Sequence, residues 1–140
     1  RARPRIAMAE TRTCATCDAK CCRYFALEID KPETEQDFDH IRWYLAHEGT
    51  KVFVDEGHWF LEVRTPCRHL DAAGRCRIYR RRPLICRTHA TDNCEARDDL
   101  SFEYDHEFTS DEQFARFAAR ALAQRRGARR TKKTAKGKRA

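Results

Sequence analysis

The chain has 140 residues, a mass of 16.5 kDa, 36% charged residues and a mean hydropathy of -0.86. That length fits one ordinary domain, and no apolar run approaches the roughly 20 residues of a membrane helix. The net charge of +7 is uneven. Arg120–Ala140 holds ten Lys or Arg and no Asp or Glu, Thr13–Ala119 holds fifteen basic against twenty-one acidic residues, and the first twelve residues hold four Arg and one Glu.

The N-terminal residues lack the apolar h-region of a secretory signal, so the expected location is cytoplasmic. Eight residues are Cys. In a reducing compartment disulfides do not persist, so the thiols need another role. The composition excludes a membrane-spanning or collagen-like chain and fits poorly with a disulfide-stapled secreted domain.

In chain order, residues 13–22 read as a small-residue loop carrying Cys14, Cys17, Cys21 and Cys22. Tyr24–Ile29 alternates, with Phe25, Leu27 and Ile29 on one face, and predicts a short strand ended by Lys31-Pro32. Thr34–His47 turns helical, because Phe38, Ile41 and Leu45 recur at i, i+3 and i+7. Its early acidic residues suit the positive end of the helix dipole, and Gly49 is a suitable stop. Val52–Val54 and Trp59–Val63 flank Asp55-Glu-Gly-His58, a β-hairpin pattern. Residues 64–109 show no long periodic run yet hold Cys67, Cys76, Cys86 and Cys94, so something other than apolar burial is expected to order them. Ser110 with Gln113 forms a capping box, followed by Phe114, Phe117, Ala118 and Leu122 at helical spacing. Phe25, Phe38, Trp43, Phe53, Trp59 and Phe60 are expected in the core.

After Leu122 no large apolar residue remains, so residues 124–140 are expected to form a disordered basic tail. The expected organisation is a basic extension over 1–12, a cysteine-cluster domain over 13–123, and that tail. Nonspecific nucleic acid is a candidate partner of the tail through its charge; a solubilising role is the plain alternative.

Cys14-x2-Cys17 is the close spacing that lets a short turn aim two thiolates at one metal, and six further Cys strengthen the signal. Thiolate-rich sites select zinc, Cu(I) or iron–sulfur clusters. Adjacent Cys21 and Cys22 point in different directions, so they face two sites or one of them is a buried thiol. All eight Cys are candidate metal ligands. His69 or His89 could replace one thiolate, although an ordinary surface or core His is the better reading. Arg68, Arg75, Arg77, Arg80, Arg81, Arg82 and Arg87 crowd the second half, where they could lower thiol pKa, bind an anion or form a solvated face. Gly74 supplies a positive-φ turn before Cys76, and Pro83 starts a short helix that aims Cys86. Walker A, Gly-x-Ser-x-Gly, Gly-x-Gly-x-x-Gly and His-Glu-x-x-His signatures are missing, so whether the chain is an enzyme stays open.

Three stretches together resemble the YkgJ-type cysteine-cluster family of zinc- or iron-chelating domains. They are Cys14-Ala-Thr-Cys17-Asp-Ala-Lys-Cys21-Cys22, Pro66-Cys67-Arg-His-Leu-Asp71 and Gly74-Arg-Cys76-Arg-Ile-Tyr-Arg-Arg-Arg-Pro83-Leu-Ile-Cys86-Arg87. The resemblance spans about residues 14–95. It implies metal ligation by Cys17, Cys21, Cys22, Cys67, Cys76 and Cys86, with Cys14 a further member of the loop and Cys94 outside the core pattern. A related protein, the flagellin lysine N-methylase, links such a cluster to methyl transfer. Nothing here looks like a separate methyl-donor domain, so that activity is not carried over.

The expected fold is α+β: a small domain whose irregular Cys-rich core is held by metal, with a hairpin and two flanking helices. The leading functional expectation is a zinc or iron/iron–sulfur metal-binding protein. The alternatives are an iron–sulfur-dependent redox or group-transfer enzyme and a nucleic-acid- or ribosome-associated protein.

Overall fold

The computed structural model describes residues 19–88 and 103–137. These fall into two compact units. One contains residues 26–63 and 103–137 and carries the apolar core. The other contains residues 19–25 and 64–88 and carries the described cysteines.

The first of these is a four-stranded sheet with two helices, an α+β arrangement. Strands β1 (Tyr24–Ile29), β2 (Thr50–Asp55), β3 (His58–Arg64) and β4 (His106–Phe108) are ordered β1-β3-β2-β4. Strands β2 and β3 form the expected hairpin, antiparallel, with Asp55 opposite His58. The two turn residues, Glu56 and Gly57, both have positive φ, 48° and 82°. This backbone twist matches the flanking strands. Strand β4 pairs antiparallel with β2, Val52 opposite Phe108. Strand β4 is not predicted, because three residues with one large apolar side chain set up no readable alternation.

Helix α1 (Glu35–Leu45) is capped at Thr34, whose hydroxyl accepts from the Asp37 N–H while the Asp37 carboxylate accepts from the Thr34 N–H. That reciprocal box satisfies two donors the helix leaves open. The helix buries Phe38, Ile41 and Leu45, the three positions its spacing predicts. Just past its end, Gly49 takes a φ of 76°, and the Thr50 hydroxyl donates to the carbonyls of Tyr44 and His47, both at 2.8 Å.

Val52, Val54, Trp59, Phe108, Phe114 and Ala118 complete the core with the α1 residues. Phe114 and Phe108 meet edge to face with centroids 5.0 Å apart, a preferred aromatic geometry. Complete burial of Phe114 stabilises this unit by about 2–3 kcal/mol. Four expected core aromatics lie outside it: half-buried Phe53 and Phe60 stack on each other with centroids 5.1 Å apart, and the other two are largely exposed. Phe25 is 47% exposed and Trp43 63% exposed. Alternation shows which residues share a face of β1, but not whether anything covers that face; Trp43 lies off the α1 stripe set by Phe38, Ile41 and Leu45.

Helix α3 runs from Asp111 to Gly137, well past the position where the sequence predicts disorder. Its continuation is rich in Ala, Arg, Lys and Gln, good helix formers, and contains no Pro. Arg125 donates to the carbonyls of Pro32 and Glu33, and Arg126 pairs with Glu35. Those contacts anchor the helix after its last large apolar residue, Leu122. Among the described residues, no helix is long and apolar enough to cross a membrane.

Lys51 and Glu62 face each other across the hairpin. Their charged atoms are 3.2 Å apart, with the Glu62 side chain 8% exposed. Glu107 of β4 adds a second carboxylate 3.6 Å from the ammonium. Burial works against the charge on Lys51. The hydrogen bond and charge of Glu62, with smaller help from Glu107 and Tyr104, outweigh it, and the pKa is raised.

Candidate metal centre

The cysteine-bearing unit is organised by backbone hydrogen bonds. Residues Lys20–Cys22 form one 3₁₀ turn, closed by Cys22 N–H to the Ala19 carbonyl at 3.0 Å and Arg23 N–H to the Lys20 carbonyl at 2.9 Å. Ala19, which opens the turn, is left-handed with φ 58°. A non-glycine residue adopts that conformation at a cost of about 1 kcal/mol.

Two bonds then tie this turn to the segment after β3. Thr65 N–H donates to the Arg23 carbonyl at 2.9 Å, and Cys67 N–H donates to the Cys22 carbonyl at 2.6 Å. Residues 45 positions apart in sequence, Cys22 and Cys67, are thereby joined through their backbones. The convergence of the two Cys-bearing segments is therefore built into the polypeptide.

From Cys67 the chain folds into a tight loop. Leu70 N–H reaches the Cys67 carbonyl at 3.1 Å, and Leu70 forms an isolated antiparallel bridge with Cys76. Asp71 stands at the centre of this loop. Its Oδ1 accepts from the N–H groups of Ala73 at 2.9 Å and Arg75 at 2.8 Å. Its own N–H donates to the Arg75 carbonyl at 2.9 Å, and its carbonyl accepts from Gly74 N–H at 3.0 Å. Gly74 has φ 78°, the predicted left-handed turn. A carboxylate holding two amides and a glycine reversing the chain together place Cys76 beside Leu70. The family motif includes Asp71 without giving it a role; the signal for that role is the Asp-x-x-Gly spacing of a turn.

Helix α2 (Leu84–Thr88) begins directly after Pro83 and carries Cys86, as predicted. The preceding turn is fixed by Arg82, whose Nε donates to the Tyr79 carbonyl at 2.8 Å while its guanidinium lies 3.7 Å from the Tyr79 ring centroid.

Cys22, Cys67, Cys76 and Cys86 are free thiols. Cys21 is exposed and hydrogen-bonds to Cys22. None of the five is buried, so none serves as a small core hydrophobe. Cys14, Cys17, Cys94 and His89 lie outside the described residues.

The Cys22 thiol is pushed up from its ordinary range. Partial burial is the main cause, the Cys21 hydrogen bond opposes it, and charge on Cys67, Cys76 and Cys86 adds to it. The sequence suggests that the surrounding arginines lower thiol pKa, but this thiol is raised, and none of its leading causes is an arginine. The thiols of Cys67, Cys76 and Cys86 thus each lie within electrostatic range of Cys22. Among the described residues, however, no group of three or more His, Cys, Asp or Glu is close enough to share one ion as it stands. The donor chemistry suits zinc or iron; closure around an ion is not preformed in these residues.

The unit is strongly cationic. Its described residues contain Arg23, Arg64, Arg68, Arg75, Arg77, Arg80, Arg81, Arg82, Arg87 and Lys20 against one carboxylate, Asp71.

A small α+β protein with a thiol-bearing loop unit is the class that this fold and donor set define. The family model CxxCxxCC, a putative zinc- or iron-chelating domain, matches residues 13–119, and the chain belongs to that family. Neither a curated protein nor a solved structure matches it. The family's name spells two residues between its second and third Cys, whereas this chain has three, Asp18-Ala19-Lys20. The left-handed Ala19 sits in that longer gap.

Proposed function

We propose that the chain binds zinc or iron through thiolates of Cys22, Cys67, Cys76 and Cys86, with Cys14, Cys17, Cys21 and Cys94 as the further candidate ligands. The observation that carries this reading is the 2.6 Å backbone bond that joins Cys22 to Cys67, with the free thiols of Cys67, Cys76 and Cys86 each within electrostatic reach of Cys22. Like charges so placed repel when ionised and leave a deficit that a cation offsets. Membership of a chelating family supports the same reading.

The bound ion would supply a positive centre that draws the loops together, and its binding free energy would be folding free energy for this unit. Every thiol must lose a proton to ligate, so affinity falls as pH falls. Cys22, with its raised thiol, gives up its proton less readily than an ordinary thiol. The Cys22–Cys67 backbone bond and the Asp71 turn hold two of the ligand-bearing segments together, which reduces the chain entropy lost on binding.

Cys76→Ser and Cys86→Ser test the assignment. Each variant, purified without air, is expected to lose metal measured by elemental analysis. Both tryptophans, Trp43 and Trp59, lie in the other unit, so their fluorescence should stay near that of the parent and report an intact apolar core. Full metal content in both variants would refute the ligand set.

A further inference from the structure

The last turns of α3 carry charge that the metal reading does not use. Arg129, Arg130, Lys132, Lys133 and Lys136 are all exposed. No ion pair joins any of them to a described residue, in contrast to Arg126 with Glu35. At 100° per residue the five fall within an arc of about 160°. Gly127, Ala128, Thr131, Thr134 and Ala135 fill the opposite face. There the Thr131 hydroxyl donates to the Ala128 carbonyl at 3.0 Å, and the Thr134 hydroxyl donates to the Thr131 carbonyl at 2.9 Å. That face is small and internally satisfied, and the other is a continuous bank of cations.

We propose that this helical arm binds the phosphodiester backbone of duplex DNA without sequence preference. Three features select that occupant. From Arg129 to Lys136 the helix rises roughly 10 Å, a length over which duplex DNA presents about six phosphates. The B-form major groove, about 12 Å wide, admits an α-helix, and a wide cationic arc with a slim back reaches phosphates on both walls. The deep, narrow major groove of A-form RNA does not admit one. A bilayer is a poor fit, because a membrane-surface helix needs large apolar residues opposite its cations, and from Ala123 to Gly137 there are none. The proposal stands apart from the metal reading, since no cysteine lies on α3.

The test is fluorescence anisotropy of the full chain with a labelled 20-base-pair duplex of arbitrary sequence, at 50 to 200 mM salt. With five phosphate contacts the affinity should fall about 500-fold across that range. The variant with Arg129, Arg130, Lys132, Lys133 and Lys136 all changed to Gln preserves helix propensity. It should bind at least about 100-fold more weakly at 50 mM salt and lose about four units of the log–log salt slope. Circular dichroism and tryptophan fluorescence check that its fold is unchanged, and the milder R129Q/K133Q pair should lose about two units of slope. Unchanged affinity and slope in these variants would overturn the proposal. So would tighter binding to single-stranded RNA or to anionic phospholipid vesicles than to the duplex. Loss of binding in R77Q/R80Q/R81Q, with the helix variants unaffected, would place the contact on the thiol unit instead and equally overturn it.

Discussion

Asp71→Ala isolates how far the metal centre depends on a turn that contains no ligand. The substitution removes one carboxylate oxygen that accepts the N–H groups of Ala73 and Arg75, at 2.9 and 2.8 Å. Each such bond contributes about 1 kcal/mol net, and less where water can replace it. Asp71 is only partly exposed, while Ala73 and Arg75 are exposed, so the combined loss should be about 1–2 kcal/mol. The turn presents Cys76 across from Leu70, so the loss is expected in metal affinity, a factor of about 5 to 30. Asp71→Asn retains an oxygen at the accepting position and should stay within about threefold of the parent. The assay is competition for zinc against a chromogenic chelator under nitrogen, with free thiols counted in each sample. Affinity unchanged within twofold in Asp71→Ala would refute the coupling between turn and site. Equal damage from both variants would instead assign the effect to the negative charge.

Other expectations concern the apolar unit. Lys51→Met takes the ammonium from beside the buried Glu62 carboxylate and should cost about 3 kcal/mol in urea unfolding, with Lys51→Met/Glu62→Leu recovering most of it; a loss under about 1 kcal/mol would contradict the pairing. Because the folded pKa of Lys51 is raised, its contribution should be constant below the unfolded value of 10.5 and fade only as pH climbs through the folded one. His58 Nδ1 lies 2.8 Å from Glu28, whose hydrogen bond and charge raise the imidazole pKa. An NMR titration should place its midpoint above 6.5, and Glu28→Gln should bring it back down. The pair stabilises fully below the unfolded value of 6.5 and loses that contribution as pH rises through the folded one, so an unshifted midpoint in the parent would sink this reading.

Much of the apolar unit was legible from local pattern. Phe38, Ile41 and Leu45 announced α1 because a helix returns the same face every three to four residues. The hairpin was legible because two short apolar runs, Val52–Val54 and Trp59–Val63, flank the turn sequence Asp55-Glu-Gly-His58. Non-local features were not legible. Strand β4 exists through its pairing with β2, and the Lys51–Glu62 contact appears only once the hairpin register is known. Phe25 and Trp43 illustrate the same limit, since coverage of a face depends on what packs there. Lack of burial predicts disorder over residues 124–140, whereas over 124–137 propensity and the Arg125 and Arg126 anchors sustain a helix. For the site, the cysteine spacing revealed the donor chemistry. The carbonyl–amide link from Cys22 to Cys67 and the amides held by Asp71 belong to backbone geometry that spacing does not encode.

Metal-to-protein stoichiometry on the 140-residue chain purified under nitrogen, read with its visible absorption spectrum, tests the central claim most directly. The account predicts at least one equivalent of zinc or iron per chain, released together with protection of the thiols from alkylation when a strong chelator is added. A chain that carries less than about a tenth of an equivalent, takes up neither metal on reconstitution and leaves its thiols equally reactive throughout would contradict it.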